Sequence, residues 1–216
     1  MLIEAFPAQA LDTNCYVVAR AAGSECVIVD PGLGVAPRLD AIVARHDLRP
    51  VAVLVSHGHI DHTFSVTELC EAYGVPVYVH RDDEHLLERP EDGLTPDLLT
   101  MLGDLQWKPP ADVRGLTAGE VELAGLSVGV DHAPGHTPGS VLYRLTDEPV
   151  CLSGDVLFAG SIGRTDLPGG DHAAMLRTLS NAVLAQPDDT VVLPGHGPRT
   201  TIGGERRANP FLHDLA

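Results

Sequence analysis

Short apolar runs alternate with turn residues and helical patterns along the first 80 residues. Two segments, 37–46 and 63–73, carry apolar side chains at helical spacing and are predicted helices. The predicted strands are residues 2–6, 13–19, 26–30, 51–55 and 77–79. The run at 51–55 is entirely apolar, which is typical of a strand buried on both faces. This alternation predicts a sheet covered by helices.

The same pattern returns after an irregular segment that covers residues 81–110. That segment contains Pro, Gly, acidic residues and Trp107, the single Trp of the chain. It is either a lid or substrate loop, centred on residues 88–110, or a surface excursion that packs Trp107 on the core. Further strands are predicted at residues 113–116, 120–123, 126–130, 141–145, 150–152 and 190–193. Because the strand pattern resumes, we expect a single domain over residues 1–216.

Two more helices are predicted in the last 45 residues. The first covers residues 172–184, with Asp171 as its N-cap. The second is a short helix that begins at Glu205 and is interrupted at Pro210.

Composition narrows the classes of partner. The chain has 216 residues, 44% of them hydrophobic but only 4% aromatic, so aliphatic side chains must build the core. A net charge of −16 argues against nucleic acid or an anionic membrane as partner. No transmembrane segment or signal peptide is visible, and the four Cys form no Cys-x-x-Cys motif. We therefore expect a cytoplasmic protein with reduced thiols, and the oligomeric state stays open.

Four side chains of metal-ligand type fall within residues 57–62, directly after the buried strand at 51–55. His57 and His59 are two positions apart and would point in nearly opposite directions on a helix. The motif is therefore predicted to be a loop that leaves a strand, with Asp61 and His62 at the start of the next helix. Neutral imidazoles and a carboxylate are normal ligands of divalent ions, so the motif predicts a metal site rather than a solvated polar loop.

Three more residues of ligand type follow predicted strands and are flanked by Gly, which lets the backbone turn sharply. The complete candidate set is His57, His59, Asp61, His62, His136, Asp155 and His196. Seven ligands exceed the needs of one tetrahedral ion and suit two ions. We assign three residues to one ion, namely His57, His59 and His136. We assign Asp61, His62 and His196 to the other ion, with Asp155 bridging the two.

Two ions so placed would activate a water between them as a nucleophile near neutral pH. Asp61 and Asp155 are the candidate catalytic carboxylates, because Asp61 could also orient that water. Asp30 ends the predicted strand at 26–30 and is either a partner that orients a ligand His or a turn cap.

These motifs resemble the metallo-β-lactamase superfamily over essentially the whole chain. The matching stretches are residues 14–16, 29–32, 57–62, 134–139, 153–155 and 194–197. The glyoxalase II-like branch is the most similar, through residues 154–158, Gly163-Arg164, Glu205 and Asn209-Pro210. The resemblance implies a four-layer αβ/βα sandwich of the α/β class, in which two mixed β-sheets pack face to face with helices outside. It also implies two divalent ions, usually zinc and sometimes iron or manganese.

The implied activity is hydrolysis, through a metal-bridging hydroxide, of a small-molecule thioester such as S-lactoylglutathione to glutathione and D-lactate. The sequence departs from the branch where long enzymes hold glutathione. It ends soon after His196, without the C-terminal helical domain, and we expect a short form. Pro198 replaces a family Tyr, and residues 164–166 read Arg-Thr-Asp where Lys-x-Tyr is usual. Arg164 could bind a substrate carboxylate or form a structural salt bridge.

Three alternatives stay open. A persulfide dioxygenase with a single iron on His57, His136 and Asp155 is similar in the histidine loop and in residues 163–166. A lactonase or β-lactamase would use the same nucleophile. A metal-binding module without catalysis is the non-enzyme alternative, while a nuclease is disfavoured by the charge of −16.

Overall fold

The first of two large sheets runs through the N-terminal half of the chain. The computed structural model describes residues 1–9, 11–103 and 107–215. In spatial order the sheet contains β1 (Leu2–Pro7), β2 (Asn14–Ala19), β3 (Glu25–Val29), β4 (Arg49–Leu54), β5 (Val77–His80) and β6 (Val113–Leu116). Strands β1 to β3 are antiparallel, and β3 to β6 are parallel. The sheet is therefore mixed.

The second sheet is built from the C-terminal half and is also mixed. In chain order its strands are β7 (Gly119–Leu123), β8 (Leu126–His132), β9 (Val141–Leu145), β10 (Val150–Gly154), β13 (Val191–Pro194) and β14 (Thr200–Thr201). Strands β10 and β13 are parallel, and the other neighbours are antiparallel. A separate hairpin, β11 (Leu157–Phe158) with β12 (Ser161–Ile162), follows β10.

Helices cover the outer faces of both sheets. The α-helices of the described residues are α1 (Ala36–Arg45), α2 (Ile60–Thr63), α3 (Val66–Tyr73), α4 (Glu84–Glu88), α5 (Pro96–Leu102), α6 (His172–Thr178) and α7 (Ile202–Ala208). Short 3-10 turns occur at Arg81–Asp83, Pro90–Gly93 and His213–Leu215, and Leu179–Val183 is π-helical. In the described ranges, every helix is too short or too polar to cross a bilayer.

Alternating side chains along the strands explain the layers. In β2, Val17 faces outward and belongs to a cluster with Leu39 of α1, whereas Val18 faces inward and joins Tyr143 of β9. A third cluster packs α6 and the π-helical turn on the outer face of the second sheet. The order is helices, sheet, sheet, helices, and the predicted four-layer αβ/βα sandwich is confirmed.

Three predicted helices differ in detail from the observed ones. The helix expected at residues 63–73 breaks at Ser65, whose amide donates to Pro31 O (3.0 Å) and whose hydroxyl donates to Gly32 O (2.7 Å). Those tertiary bonds replace the helical ones at that point and separate α2 from α3. The helix expected at residues 172–184 is α-helical only to Thr178. The C-terminal helix begins at Ile202 rather than Glu205, because Thr201 caps it.

Candidate metal centre

The seven predicted ligands lie at one edge of the sandwich, where the carboxyl ends of four strands meet. The histidine loop follows β4, His136 lies in the turn after β8, Asp155 follows β10 and His196 follows β13. Asn14 ties this edge to the first sheet, because its backbone N–H donates to Gly195 O (2.7 Å). Its side-chain amide donates to Pro194 O (3.0 Å) and Gly197 O (2.9 Å).

Three buried imidazoles form a group that we call the three-histidine cluster: His57, His59 and His136. The Nδ1 atom of His59 lies 2.9 Å from the Nε2 atom of His136. The Nε2 atom of His57 is buried without a hydrogen-bond partner. A buried ring nitrogen without a partner is costly unless something else binds it. The three nitrogens lie within 4.8 Å of one another, as ligands of one ion would.

A second group, which we call the carboxylate cluster, contains Asp61, His62 and His196. The Oδ2 atom of Asp61 lies 3.2 Å from His196 Nε2 and 3.5 Å from His62 Nε2. The two Nε2 atoms are 3.4 Å apart. This arrangement offers one oxygen and two nitrogens to an ion, a donor set that suits zinc or iron.

Asp155 lies between the two clusters. Its Oδ1 atom is 3.3 Å from His62 Nε2, and its Oδ2 atom is 3.6 Å from His136 Nε2 and 3.5 Å from His196 Nε2. The carboxylate is only 9% exposed, and Oδ1 has no hydrogen-bond partner. One carboxylate therefore faces ligand nitrogens from both clusters, which is the geometry that a bridging ligand requires.

Backbone carbonyl oxygens orient two of the ligand-type imidazoles, those of His136 and His196. The Nδ1 atom of His136 lies 2.7 Å from Arg164 O, and that of His196 lies 2.9 Å from Leu11 O. Carbonyl oxygens only accept, so both Nδ1 atoms carry a proton, and in the neutral imidazole each Nε2 atom has its lone pair free for a metal ion. These carbonyl contacts could not be predicted from the sequence, because a backbone oxygen is common to every residue type.

Asp30 orients one histidine in each cluster. Its Oδ2 atom accepts from His62 Nδ1 (3.1 Å) and from the hydroxyl of Ser56 (2.6 Å). That hydroxyl in turn accepts from His57 Nδ1 at 3.1 Å. Asp30 is 2% exposed, and its Oδ1 atom accepts from the Ser56 amide at 2.7 Å. The contact between Asp30 and a ligand-type His is the one that the sequence predicted as an alternative to a turn cap.

Burial keeps His57 and His59 neutral. Desolvation, together with the neighbouring imidazoles, lowers the pKa of His57 well below its usual value. Desolvation and the nearby His136 lower the pKa of His59 to about 3. Neutral imidazole is the form that binds a cation. These side chains are therefore in their ligating form at neutral pH.

The carboxylate cluster favours positive charge. Burial disfavours the charged form of His62, yet the carboxylates of Asp155, Asp61 and Asp30 outweigh that effect and raise its pKa well above its usual value. Burial likewise opposes ionisation of Asp61 and Asp155, but the imidazole of His62 lowers the pKa of both carboxyl groups. A divalent ion would compensate the same negative charge more fully than one imidazolium. The donor chemistry of both clusters therefore fits metal ions.

Glycines give the backbone room beside Asp155. A Cβ atom on Gly195 would lie 2.1 Å from Asp155 Oδ1 and 2.7 Å from His62 Cε1. A Cβ atom on Gly163 would lie 1.8 Å from Asp155 O. The turn after β13 and the β12 region thus approach the centre closely because these positions lack side chains.

One turn of the irregular middle segment, Pro90–Gly93, lies against the three-histidine cluster. A Cβ atom on Gly93 would lie 3.0 Å from His59 Cδ2, so the turn Pro90–Gly93 covers the His59 ring. Trp107 donates from its indole nitrogen to Leu87 O (3.0 Å) and meets Phe64 edge-on. Residues 104–106 of the predicted lid at 88–110 lie outside the described residues, and a lid function stays a prediction.

A further His-containing group does not have the geometry of a metal site. His80 and His132 lie with Asp82 outside the seven-residue set. Their rings are stacked with an interplanar angle of 9° and a centroid distance of 4.1 Å. Lone pairs lie in the ring plane, so two nearly parallel stacked rings cannot direct them at one ion. His132 Nε2 also contacts Pro138 O at 2.8 Å.

Comparison with known proteins identifies the class. The model of the metallo-beta-lactamase superfamily matches residues 8–196, so the chain belongs to that superfamily. An uncharacterized protein of Mycobacterium tuberculosis is 44% identical, with all of both chains covered. Hydroxyacylglutathione hydrolase GloC of Haemophilus influenzae is 35% identical, with 99% of each chain covered.

Two solved structures are similar to this fold over nearly their whole length. TTHA1623 in a di-iron-bound form is 39% identical with a TM-score of 0.84, covering 97% of this chain and 100% of that one. BLEG-1 B3 metallo-beta-lactamase is also 39% identical with a TM-score of 0.84, covering 98% and 99%. Together with the metal-binding donor set, the superfamily indicates a metal-dependent hydrolase.

Proposed function

We propose that this protein is a binuclear metal-dependent thioesterase that cleaves S-lactoylglutathione or a related thiol ester. The observation that carries the proposal is the position of Asp155, whose two oxygens face ligand nitrogens of both clusters at 3.3–3.6 Å. The 35% identity to a hydroxyacylglutathione hydrolase over 99% of the chain supports the thioester as substrate class. We propose zinc as the ion, and the similarity to a di-iron protein supports iron as the alternative.

The side chains have distinct tasks in this proposal. Bound ions would supply an activated water and polarise the acyl carbonyl, and a thiolate leaves without a strong general acid. Asp155 would share its two carboxylate oxygens between the ions of the two clusters. Asp61 orients the nucleophile, and its own Oδ2 atom is fixed by the Thr13 hydroxyl at 3.1 Å. Thr13 could not be singled out from the sequence, because a Thr side chain is not a typical metal ligand.

The backbone and the side chain of Arg164 make different contacts. Its backbone oxygen orients His136, while its guanidinium forms a bidentate pair with Asp166, both distances being 2.7 Å. The Arg164 side chain is 57% exposed, so water competes with Asp166 for the guanidinium. We propose that the guanidinium binds a substrate carboxylate at the mouth of the site. The structural salt bridge and the substrate contact are then compatible.

A substrate panel tests the proposal. Metal-loaded protein is expected to hydrolyse S-lactoylglutathione, or a thioester of a smaller thiol, with higher kcat/KM than a lactone or a β-lactam. Each turnover should release one thiol without oxygen uptake. Replacing Arg164 by Ala should raise KM about 10-fold for a carboxylate-bearing thioester, with little change in kcat, because one charge-assisted contact is lost. An uncharged thioester is the control substrate and should show the same KM in both proteins.

Three results, from this panel extended by a persulfide, would contradict the thioesterase. Preference for a β-lactam or lactone would keep the hydrolase and change its substrate. Oxygen uptake with a persulfide, on protein that holds one iron, would support the dioxygenase. Metal-loaded protein inactive on the whole panel would leave a metal-binding module.

A further inference from the structure

Asp83 is a buried carboxylate that lies outside the set of candidate ligands. It ends the 3-10 turn that follows β5, and its side chain is fully buried. The Oδ2 atom accepts from the Gly58 amide (2.8 Å) and from the Thr137 hydroxyl (2.7 Å). The Oδ1 atom accepts from the Gly139 amide (2.7 Å). Three good hydrogen bonds compensate for the desolvation of the charge.

The three donors belong to the two turns that present the three-histidine cluster. Gly58 separates His57 from His59, and Thr137 directly follows His136. These turns come from different sheets and are about 80 positions apart in sequence, so a single carboxylate joins them across the sandwich. Its hydrogen bonds in the described structure reach neither Asp61, His62 nor His196.

Gly58 and Gly139 allow this close approach because glycine has no Cβ atom. A Cβ atom on Gly139 would lie 2.5 Å from Asp83 Cγ. A Cβ atom on Gly58 would lie 2.6 Å from Leu86 Cβ and 3.1 Å from Asp83 O. The turns at Gly58 and Gly139 therefore pack closely against the start of α4 as well as donating hydrogen bonds to Asp83.

We propose that Asp83 is a positioning residue, which sets the metal affinity of the three-histidine cluster by joining its two turns. The inference rests on the proposed two-metal centre, and it adds a residue that binds neither ion nor substrate. All three bonds need an acceptor. Asn in place of Asp would turn its amide nitrogen toward at least one donor, and it would also remove a negative charge that offsets the charge of a nearby cation.

The test compares Asp83→Asn in two backgrounds. His196→Ala removes a ligand of the carboxylate cluster and keeps the three-histidine cluster intact. His136→Ala removes a ligand of the three-histidine cluster and keeps the carboxylate cluster intact. In the first background Asp83→Asn is expected to weaken zinc binding 10- to 100-fold, the usual effect of removing a partner that orients metal ligands. In the second background zinc affinity should stay within about 2-fold of its parent, because Asp83 makes no bond to that cluster. Competition with a chelator of known affinity gives both constants without an activity assay.

Matched variants keep the result interpretable. Asp82→Asn removes the neighbouring carboxylate, which is 54% exposed and makes only contacts of 3.6 and 3.7 Å with His80 and His132, and should leave zinc affinity unchanged. If Asp83→Asn does not fold, Thr137→Val removes a single donor and should weaken the same cluster, while Thr137→Ser should restore its affinity. The proposal would be overturned if Asp83→Asn left zinc affinity unchanged in the His196→Ala background. It would also be overturned if Asp83→Asn weakened zinc binding equally in both backgrounds. A wild-type chain that binds no metal would overturn the two-metal centre as well.

Discussion

Replacing Asp155 by Ala is expected to lower kcat/KM about 1000-fold, or ~4 kcal/mol of transition-state stabilisation. Asp155 is the side chain whose oxygens face His62, His136 and His196 within 3.6 Å. Under the proposal, two bound ions would lose the carboxylate that both clusters share and with it the negative charge that offsets their repulsion. We expect the variant to retain at most one tightly bound ion per chain.

Elemental analysis and steady-state kinetics on the same preparation measure both effects. Asp155→Asn preserves shape but removes the charge, and it should behave like the Ala variant if charge sharing is the cause. Asp147→Ala is the control, because Asp147 is 48% exposed and pairs with Arg20 on the surface. Full metal content and full activity in Asp155→Ala would show that Asp155 does not bridge.

A methyl group on Gly195 is expected to have the next largest effect, lowering kcat about 100-fold. The added Cβ atom would lie 2.1 Å from Asp155 Oδ1, so the carboxylate or the turn must move by about 1 Å. Displacements of that size commonly cost about two orders of magnitude when reacting groups must be aligned. Gly195 is not in the left-handed region, and Ala therefore adds contact without backbone strain.

Gly197→Ala in the same turn separates strain from contact. Gly197 has a φ of +75°, and a Cβ atom there would meet nothing within 4 Å. This variant should lose about 1 kcal/mol of unfolding free energy and keep its metal. Thermal unfolding and metal content of the two variants make the comparison. Normal metal content and kcat in Gly195→Ala would mean that the centre tolerates a displaced Asp155.

The strands and the grouping of ligand-type residues were predictable because each follows from a local pattern. Residues 51–54 of the predicted apolar strand lie in β4, and the His, Asp and Gly positions after four strands lie together at one edge. Two-residue strands such as β14 were missed, since they are too short to show a period of two. The break at Ser65 was missed because it depends on carbonyls of residues 31 and 32, which only the fold brings near.

Partners that orient the ligands were harder to predict than the ligands themselves. Asp30 could be singled out because a carboxylate at a strand end is conspicuous. Asp83, Thr13 and the carbonyl of Leu11 could not, because their contacts cross 25 to 185 positions of sequence and use ordinary residue types. The position of the Arg164 backbone also could not be predicted. Its side chain was noted for its charge, while its carbonyl oxygen is what contacts His136.

Metal content of the wild-type chain tests the central claim most directly. The protein is purified without added metal, loaded with zinc, freed of excess ion and measured by elemental analysis against protein concentration. Two ions per chain are predicted, falling to one in both His136→Ala and His196→Ala, because each variant removes a ligand from a different cluster. A single ion per chain that is lost in His136→Ala and retained in full in His196→Ala would contradict the binuclear centre.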